Sequence, residues 1–283
     1  MKAIYEVPAP AKLNLFLHIV GRRADGYHLL QSAFMLIDWC DRLHFECRAD
    51  GRISREDLRG ALPEDDLIVR AARALQAHTG CALGAHIGVE KHIPAQAGLG
   101  GGSSDAASTL LALNQLWGLK LDRGTLLRIG ERLGADVPFF LGDGSAWVEG
   151  IGEQLTPISL PPVRFVVVKP AAGVETARLF QSPTLKRDEI PATIAGFAAD
   201  PYGFGHNALQ TAAQAACPEI GDALAWLASQ GLTGRMTGSG SAVFARLDPA
   251  RNGVSADARP GWQLRVCSNM PAHPLSGWAA RDN

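Results

Sequence analysis

The sequence predicts an α+β chain built as two domains, and three observations carry that prediction. Its 283 residues exceed one typical domain, and 47% hydrophobic against 19% charged residues provides apolar material for a full core. A strand, a glycine-rich loop and a helix follow one another between Ala85 and Gly118. A connection with three prolines, Thr156 to Pro162, resembles a hinge and separates this half from a second run of strands and helices. The expected units are 1–157 and 158–283.

From Lys12 to Val20, apolar Leu13, Leu15, Leu17 and Ile19 alternate with Lys12, Asn14, Phe16 and His18. This is the period of a strand, and it places Lys12 and Asn14 on one face. Arg22-Arg23-Ala24-Asp25-Gly26 carries an Asp-Gly turn signal, and Tyr27 and His28 lead out of it into a longer extended segment, two-sided from Phe34 to Glu46. Asp50 to Pro63 reads as a charged connection. Asp65 or Asp66 then caps a helix that runs through Thr79 and closes at Gly80. Ala85, Ile87, Val89, Lys91 and Ile93 alternate as a strand into the glycine loop. Beyond it Ala106, Leu110, Leu113 and Trp117 recur at helical spacing until Gly118.

A shorter helix is expected near Thr125 to Leu133, then Ala135-Asp136-Val137-Pro138-Phe139-Phe140 and a strand from Ser145 to Glu149. Behind the proline connection, Arg164 to Lys169 holds the buried-type run Val166-Val167-Val168. Helices are expected at about His206 to Ala216 and Pro218 to Ser229, with strands at Ala242 to Leu247 and Trp262 to Cys267. Pro271 to Asn283 has the composition of a surface tail.

The loop is Pro94-Ala95-Gln96-Ala97-Gly98-Leu99-Gly100-Gly101-Gly102-Ser103-Ser104. Ser103 and Ser104 stand where an N-cap belongs, with unpaired backbone N–H groups just inside it. Glycines let the backbone curl and approach a ligand closely, and a loop ending at the positive pole of a helix is a phosphate cradle. It is not a P-loop, because Ser103 stands where a lysine is required. A dinucleotide fingerprint needs a strand delivering an acid about 20 residues on. Asp122 has only Leu119-Lys120-Leu121 before it, too short for that strand.

A net charge of −1 excludes a nucleic-acid binder held by bulk positive field, so anions must be bound locally. Five cysteines without CxxC spacing read as reduced thiols, and eight histidines without ligand spacing predict no transition-metal site. The apolar run from Leu13 to Val20, broken by Asn14 and His18, is neither signal peptide nor membrane span. A soluble cytoplasmic protein is expected.

Phosphoryl transfer needs a cradle for the donor, a cation near the transferring group and a carboxylate that orients the attacked hydroxyl. Lys12 is the candidate cation, a strand-edge surface lysine being its ordinary alternative. Asp136 is the candidate carboxylate, although an Asp two positions before Pro138 is also an ordinary helix start. Tyr27, His28 and Phe180 either stack on a base or pack locally. Gly238-Ser239-Gly240 either offers amides to phosphates or forms a plain turn. Asp105, in the helix's first turn, would repel a phosphate unless it points away or meets Mg²⁺.

Three motifs in order, Ala9-Pro10-Ala11-Lys12-Leu13-Asn14-Leu15, Ile93-Pro94 through Ser104, and Gly234 through Phe244, resemble those of the GHMP kinase superfamily. That superfamily is named for galactokinase, homoserine, mevalonate and phosphomevalonate kinases. Gly21 through His28 and Gly134 through Phe140 resemble a subgroup acting on a diphosphocytidyl methylerythritol. The resemblance implies a two-domain GHMP kinase fold: an N-terminal ATP-binding domain related to a ribosomal-protein fold and a ferredoxin-like C-terminal domain. It implies ATP and Mg²⁺, that small-molecule substrate phosphorylated on its 2-hydroxyl, no nucleic-acid or membrane partner, and a monomer or weak homodimer.

By the same resemblance Lys12 and Asp136 are the catalytic pair, and Pro94 to Ser104 with Asp66 bind ATP. Asn14, Tyr27, His28 and Phe180 hold the substrate, and the turn residues Gly238 and Ser239 are expected to join them through their amides. Asp66 stands where the family often has Asn, and Ala97 where it often has Gly, which matters only if that position needs positive φ. The alternatives are a GHMP kinase for another small alcohol, separated by an assay with mevalonate, a nucleotide-dependent oxidoreductase, separated by NAD(P) titration, and a non-catalytic nucleotide-binding module.

Overall fold

A computed structural model describes residues 2–183, 185–248, 250, 254 and 259–280. Two long strands, β1 (Ala3–Arg22) and β2 (His28–Arg48), form an antiparallel hairpin around the Asp25-Gly26 turn, where Gly26 takes φ 94°. The free edge of β2 is shared. β4 (Gly84–Glu90) pairs with its C-terminal third and β5 (Ala146–Glu149) with Ser32 to Phe34. β3 (Ile53–Arg59) adds parallel to β4, and β6 (Gln154–Pro157) adds antiparallel to β5. The charged connection expected from Asp50 to Pro63 therefore contains a strand. Ile53 to Arg59 is a largely exposed edge strand, and such edges carry charge where core strands carry apolar alternation.

One face of this sheet is covered by α1 (Leu67–Thr79), α2 (Gly101–Leu116), α3 (Arg123–Glu131) and α4 (Val137–Leu141). Asp66, rather than Asp65, caps α1 by accepting the Val69 amide at 3.1 Å, and Gly80 ends it at φ 65°. α2 starts two residues before Ser103. Gly100, at φ 73°, is its N-cap and makes no side-chain cap bond, so neither Ser103 nor Ser104 caps the helix. The glycine's backbone turn replaces the serine hydroxyl as the starting device.

The second sheet follows as β7 (Arg164–Lys169), then α5 (Thr176–Phe180), α6 (Ile194–Ala199), α7 (Gln210–Ala216) and α8 (Pro218–Ser229), then β8 (Gly234–Met236), β9 (Val243–Leu247) and β10 (Gln263–Ser268). Among the described residues its order is β10-β7-β9-β8, all antiparallel, with helices packed on one face through Val166, Val168, Ile220 and Leu227. This matches the implied ferredoxin-like layout. The sheet's other face, through Phe165, Val167 and Phe244, packs against Leu13, Leu15 and Phe16 of β1. The molecule is thus layered helix, sheet, sheet, helix, and both faces of β1 are buried.

The Thr156 to Pro162 connection is not a free hinge. Its first two residues belong to β6, the Ile158 amide donates to Ser145 O, and Ile158 and Leu160 pack on the core shared by the two sheets. The expected surface tail is also anchored. Leu275 and Ala279 sit in the first core, the His273 amide donates to Asp143 O, and the Asn114 and Gln115 side chains donate to Trp278 O. A few apolar anchors in a small-residue segment are enough to dock it. The end of that tail, residues 281–283, lies outside the described residues. No helix among the described residues is long and apolar enough to cross a membrane.

Candidate active site

The glycine loop ends strand β4's layer and turns back under β1, so that the Lys12 amide donates to Leu99 O at 2.9 Å. Gly98 takes φ 72°, and a Cβ there would lie 2.3 Å from Thr237 O. At Gly100 a Cβ would meet the Phe140 ring at 2.8 Å. The loop is thereby wedged between α4 and the Gly238-Ser239-Gly240 turn, whose following amides, Ser241 and Ala242, donate to Gln96 O and Ala97 O. Positive φ falls on Gln96, not on Ala97, so the alanine is accommodated without strain. Among the described residues, none of the backbone amides from Gly98 to Ser103 donates to a protein acceptor. These are the orphan donors of a helix head.

Lys12 is buried on β1 with its Nζ 3.7 Å from Asp136 Oδ2 and 4.6 Å over the Phe34 ring. Its ammonium also donates to Asn14 Oδ1. Asn14 is held in turn by donating Nδ2 to Ser32 Oγ at 2.9 Å and its amide to Thr237 Oγ1 at 2.8 Å. Burial pushes the Lys12 pKa below the ordinary lysine value, and the Asp136 charge opposes that shift. Asp136 occupies the N-cap position of α4 but makes no cap bond, which leaves its partly exposed carboxylate facing the lysine.

Three cavities adjoin. One of about 650 Å³ is lined by the glycine loop, Asp66, Lys91, Asp105 and Ser239. One of about 350 Å³ holds Lys12, Asn14, Asp136, Gly238 and Ser239. One of about 810 Å³ is lined by Tyr27, His28, Phe180 and Arg187. The first two share Gly98, Gly100, Ser103, Thr176 and Ser239, and the last two share Leu30 and Phe180, so the three form one cleft with Lys12 and Asp136 at its middle.

In the largest cavity the His28 and Phe180 rings pack at 5.0 Å with a 32° tilt, and Arg187 Nε donates to His28 Nε2 at 3.0 Å. Accepting at Nε2 puts the neutral ring's proton on Nδ1. Burial, then Arg187 and Arg22, lower the His28 pKa. Tyr27 is 60% exposed at the cavity's edge. Arg187 also donates to the carbonyls of Phe180, Ser182 and Leu185, which fixes it as a strut. Sequence reasoning missed Arg187, Thr176, Ser32 and Thr237. Arg187, Thr176 and Ser32 belong to none of the motifs, Thr237 sits inside the Gly234-to-Phe244 motif without a role of its own there, and all four come from segments far apart in the chain.

Two predicted residues have their charge already engaged. Besides capping α1, the Asp66 carboxylate pairs with Arg55 at 2.8 Å. Asp105 is buried and pairs with Lys91, which also meets Asp41. Burial pushes the Asp105 carboxyl up to about 8 against the pull of Lys91. Its Oδ1 and the Ser104 hydroxyl are buried without a hydrogen-bond partner among the described residues.

Residues 66–144 match the family model of the GHMP kinases N terminal domain, and residues 193–256 match GHMP kinases C terminal. The chain is 64% identical over 282 residues to a 4-diphosphocytidyl-2-C-methyl-D-erythritol kinase of Acidovorax sp. (strain JS42), covering 98% of this chain and 99% of that one. A crystal structure of 4-(cytidine 5'-diphospho)-2C-methyl-D-erythritol kinase superposes with a TM-score of 0.75 at 37% identity, over 86% of this chain and 90% of that one. A homoserine kinase from Cytophaga hutchinsonii, at TM-score 0.68 and 16% identity over 96% of each chain, shares the fold. The chain belongs to the 4-diphosphocytidyl-2-C-methyl-D-erythritol kinase family of the GHMP kinases.

Proposed function

We propose that the cleft transfers the γ-phosphoryl group of ATP to the 2-hydroxyl of 4-diphosphocytidyl-2-C-methyl-D-erythritol, a step toward isoprenoid precursors by the non-mevalonate route. The observation that carries this reading is the placement of the Lys12–Asp136 pair between a cavity headed by unpaired amides and a second, aromatic-lined cavity. Two ligands in those cavities meet end to end at the pair.

In this reading the amides of Gly98 to Ser103 bind the donor phosphates at the positive end of α2. The substrate's cytidine lies by His28 and Phe180, with Tyr27 at the rim, and Asn14, Gly238 and Ser239 flank its acceptor end. Asp136 orients the hydroxyl and takes its proton as the oxygen bonds to the γ-phosphorus and ADP departs. Because that transition state is loose, the proton leaves late and the placement of the carboxylate matters more than its strength as a base. Lys12 faces that carboxylate at 3.7 Å and stabilises charge on the transferring group. Asn14, by accepting from the ammonium, also aims it.

Mg²⁺ bound with ATP would supply positive charge to offset that of the donor phosphates. Of the residues lining the donor cavity, Ser103 would offer a hydroxyl to a hard cation, and Asp105 a carboxylate only once its buried carboxyl, pushed up to about 8, has ionised. Asp66 bears on ATP through its backbone and its capping of α1, its carboxylate being paired with Arg55. The domain division at 157/158 assigns the cradle to the first unit and Phe180 and the Gly238 turn to the second.

Incubation with ATP, Mg²⁺ and the cytidylated substrate, followed by phosphorus NMR, is expected to show ADP and a new phosphomonoester. Parallel reactions with mevalonate and homoserine are expected to show none. Transfer to either of these, or to no alcohol, overturns the reading.

A further inference from the structure

Outside the cleft, three side chains from separate segments converge on one spot. They are His18 of β1, Glu189 of the connection between α5 and α6, and His206 just before α7, and one ligand-type atom from each lies within 4.8 Å of the others. His206 Nε2 stands 2.7 Å from Glu189 Oε1, and Glu189 Oε2 accepts the Ile19 amide at 3.2 Å. His18 differs from both. It is 9% exposed, and neither ring nitrogen has a hydrogen-bond partner among the described residues. An imidazole so buried ordinarily satisfies at least one of its nitrogens.

The surroundings keep this ring in place. Phe16 packs edge-on at 4.9 Å, and Phe204 lies at 6.1 Å. Gly205 lies so close that a Cβ would fall 2.9 Å from His18 Nε2. His206 and Arg235 are the basic groups that bear on His18; the Arg235 guanidinium is committed to the carbonyls of Leu15, Gly203 and Phe204, while Glu189 supplies the opposing charge.

We propose that His18, Glu189 and His206 form a structural site for a divalent cation of the zinc class. Two imidazoles and one carboxylate are a zinc donor set, softer than the all-oxygen set that Mg²⁺ takes. Tetrahedral bonds of about 2.1 Å place donors about 3.4 Å apart, so the site closes by a modest swing of one side chain. His206, largely exposed, is the one free to make it. On binding, the ion replaces the hydrogen bond between His206 and Glu189 and engages one of the two unpaired nitrogens of His18.

The site would clip β1 to the second sheet's helical side where they already touch. The Leu17 amide donates to His206 O, the Ala208 amide donates to Leu17 O, and Asn207 Nδ2 donates to Met236 O and Gly238 O. An ion there steadies the anchor of the Gly238 turn from outside the cleft. Sequence spacing excluded a transition-metal site only because the three ligands are scattered across almost 190 residues, from position 18 to position 206.

The test is independent of the kinase reading. The full chain, stripped with EDTA and dialysed, is titrated with Zn²⁺ against a chromophoric chelator while its Tm is followed. One tightly bound ion per chain and a rise in Tm are expected. His206→Ala, at an exposed side chain, and His18→Phe, which keeps the ring's bulk, are each expected to weaken binding at least tenfold and abolish the Tm rise. No saturable binding overturns the proposal. So does tight binding that survives both variants, whether it resides in the partly exposed Glu6, His44 and Glu90 group, and is removed by His44→Ala, or in the free cysteines, and is removed by thiol blocking.

Discussion

The proposed phosphate cradle and the proposed nucleoside cavity lie on either side of the Lys12–Asp136 pair, and they are made of different material. The cradle is backbone: one unbroken stretch, Gly98 to Ser103, whose amides meet no protein acceptor among the described residues. The nucleoside cavity is side chains: His28 from the start of β2, Phe180 from α5 and Arg187 from a loop, held by a ring contact and an arginine bonded to three carbonyls. A backbone site fails when an atom is added, because the chain must pass through left-handed conformations in close quarters. A side-chain site fails when an atom is removed. The two halves should therefore respond to opposite kinds of substitution, while the pair between them responds to a change of charge.

The largest effect belongs to that pair. Asp136→Asn keeps the shape and removes the proton acceptor, so kcat is expected to fall by roughly 10²–10⁴ with ATP affinity nearly unchanged. A second readout separates a lost base from a disturbed loop. In the proposed mechanism Lys12 acts as its ammonium; burial lowers its pKa, and the Asp136 charge props it up. In the variant that prop is gone, so the residual activity should decline with rising pH at a lower pH than in the parent. A pH profile of kcat whose alkaline limb stays put would show that the two groups do not sense each other.

Next comes the cradle. Gly98→Ala places a methyl 2.3 Å from Thr237 O at a φ of 72°, and neither backbone can yield without parting the loop from the Gly238 turn. A loss on the order of 2–3 kcal/mol is expected in denaturant unfolding, together with weakened ATP binding. Gly102→Ala is the internal comparison. Its Cβ would meet only Leu67 Cδ1 at 3.7 Å on ordinary helical backbone, so stability should hold or rise by up to ~1 kcal/mol. Equal losses at both positions would mean that the loop's tightness, and not its conformation, is what matters.

The same contrast explains what was legible in the sequence. A backbone site writes itself as composition, so the glycine run, the strand before it and the helix after it can be read directly. Even there the serine signal misplaced the helix start, because Gly100 turns the chain without a capping side chain. Lys12 and Asp136 were legible only as fragments of motifs, since alternation placed Lys12 on a strand face but not beside an acid 124 positions away. Arg187 left no trace, because an arginine in an irregular segment looks solvated until the fold brings His28 to it. β3 was hidden by the charges an edge strand carries, and the docked C-terminal segment by having only a few buried anchors, His273, Leu275 and Ala279. Local chemistry is readable; convergence of distant segments is not.

The smallest effect is the one that probes such convergence. Arg187→Ala removes the donor that holds His28 and the strut that joins it to the Phe180 segment, yet touches neither the pair nor the cradle. KM for the cytidylated substrate is expected to rise about tenfold, the equivalent of about 1.4 kcal/mol, with kcat and the KM for ATP little changed. A purely structural loss would lower all three together, and pH supplies the finer distinction. His28 serves as a neutral ring whose pKa is lowered by burial, by Arg187 and by Arg22. Substrate binding should weaken as pH falls through that lowered value. Without Arg187 the pKa moves back up toward the ordinary histidine value of about 6.5, so the acid weakening of KM should begin at a higher pH than in the parent. An acid limb that stays where it was would mean that His28 is not the group the nucleoside senses.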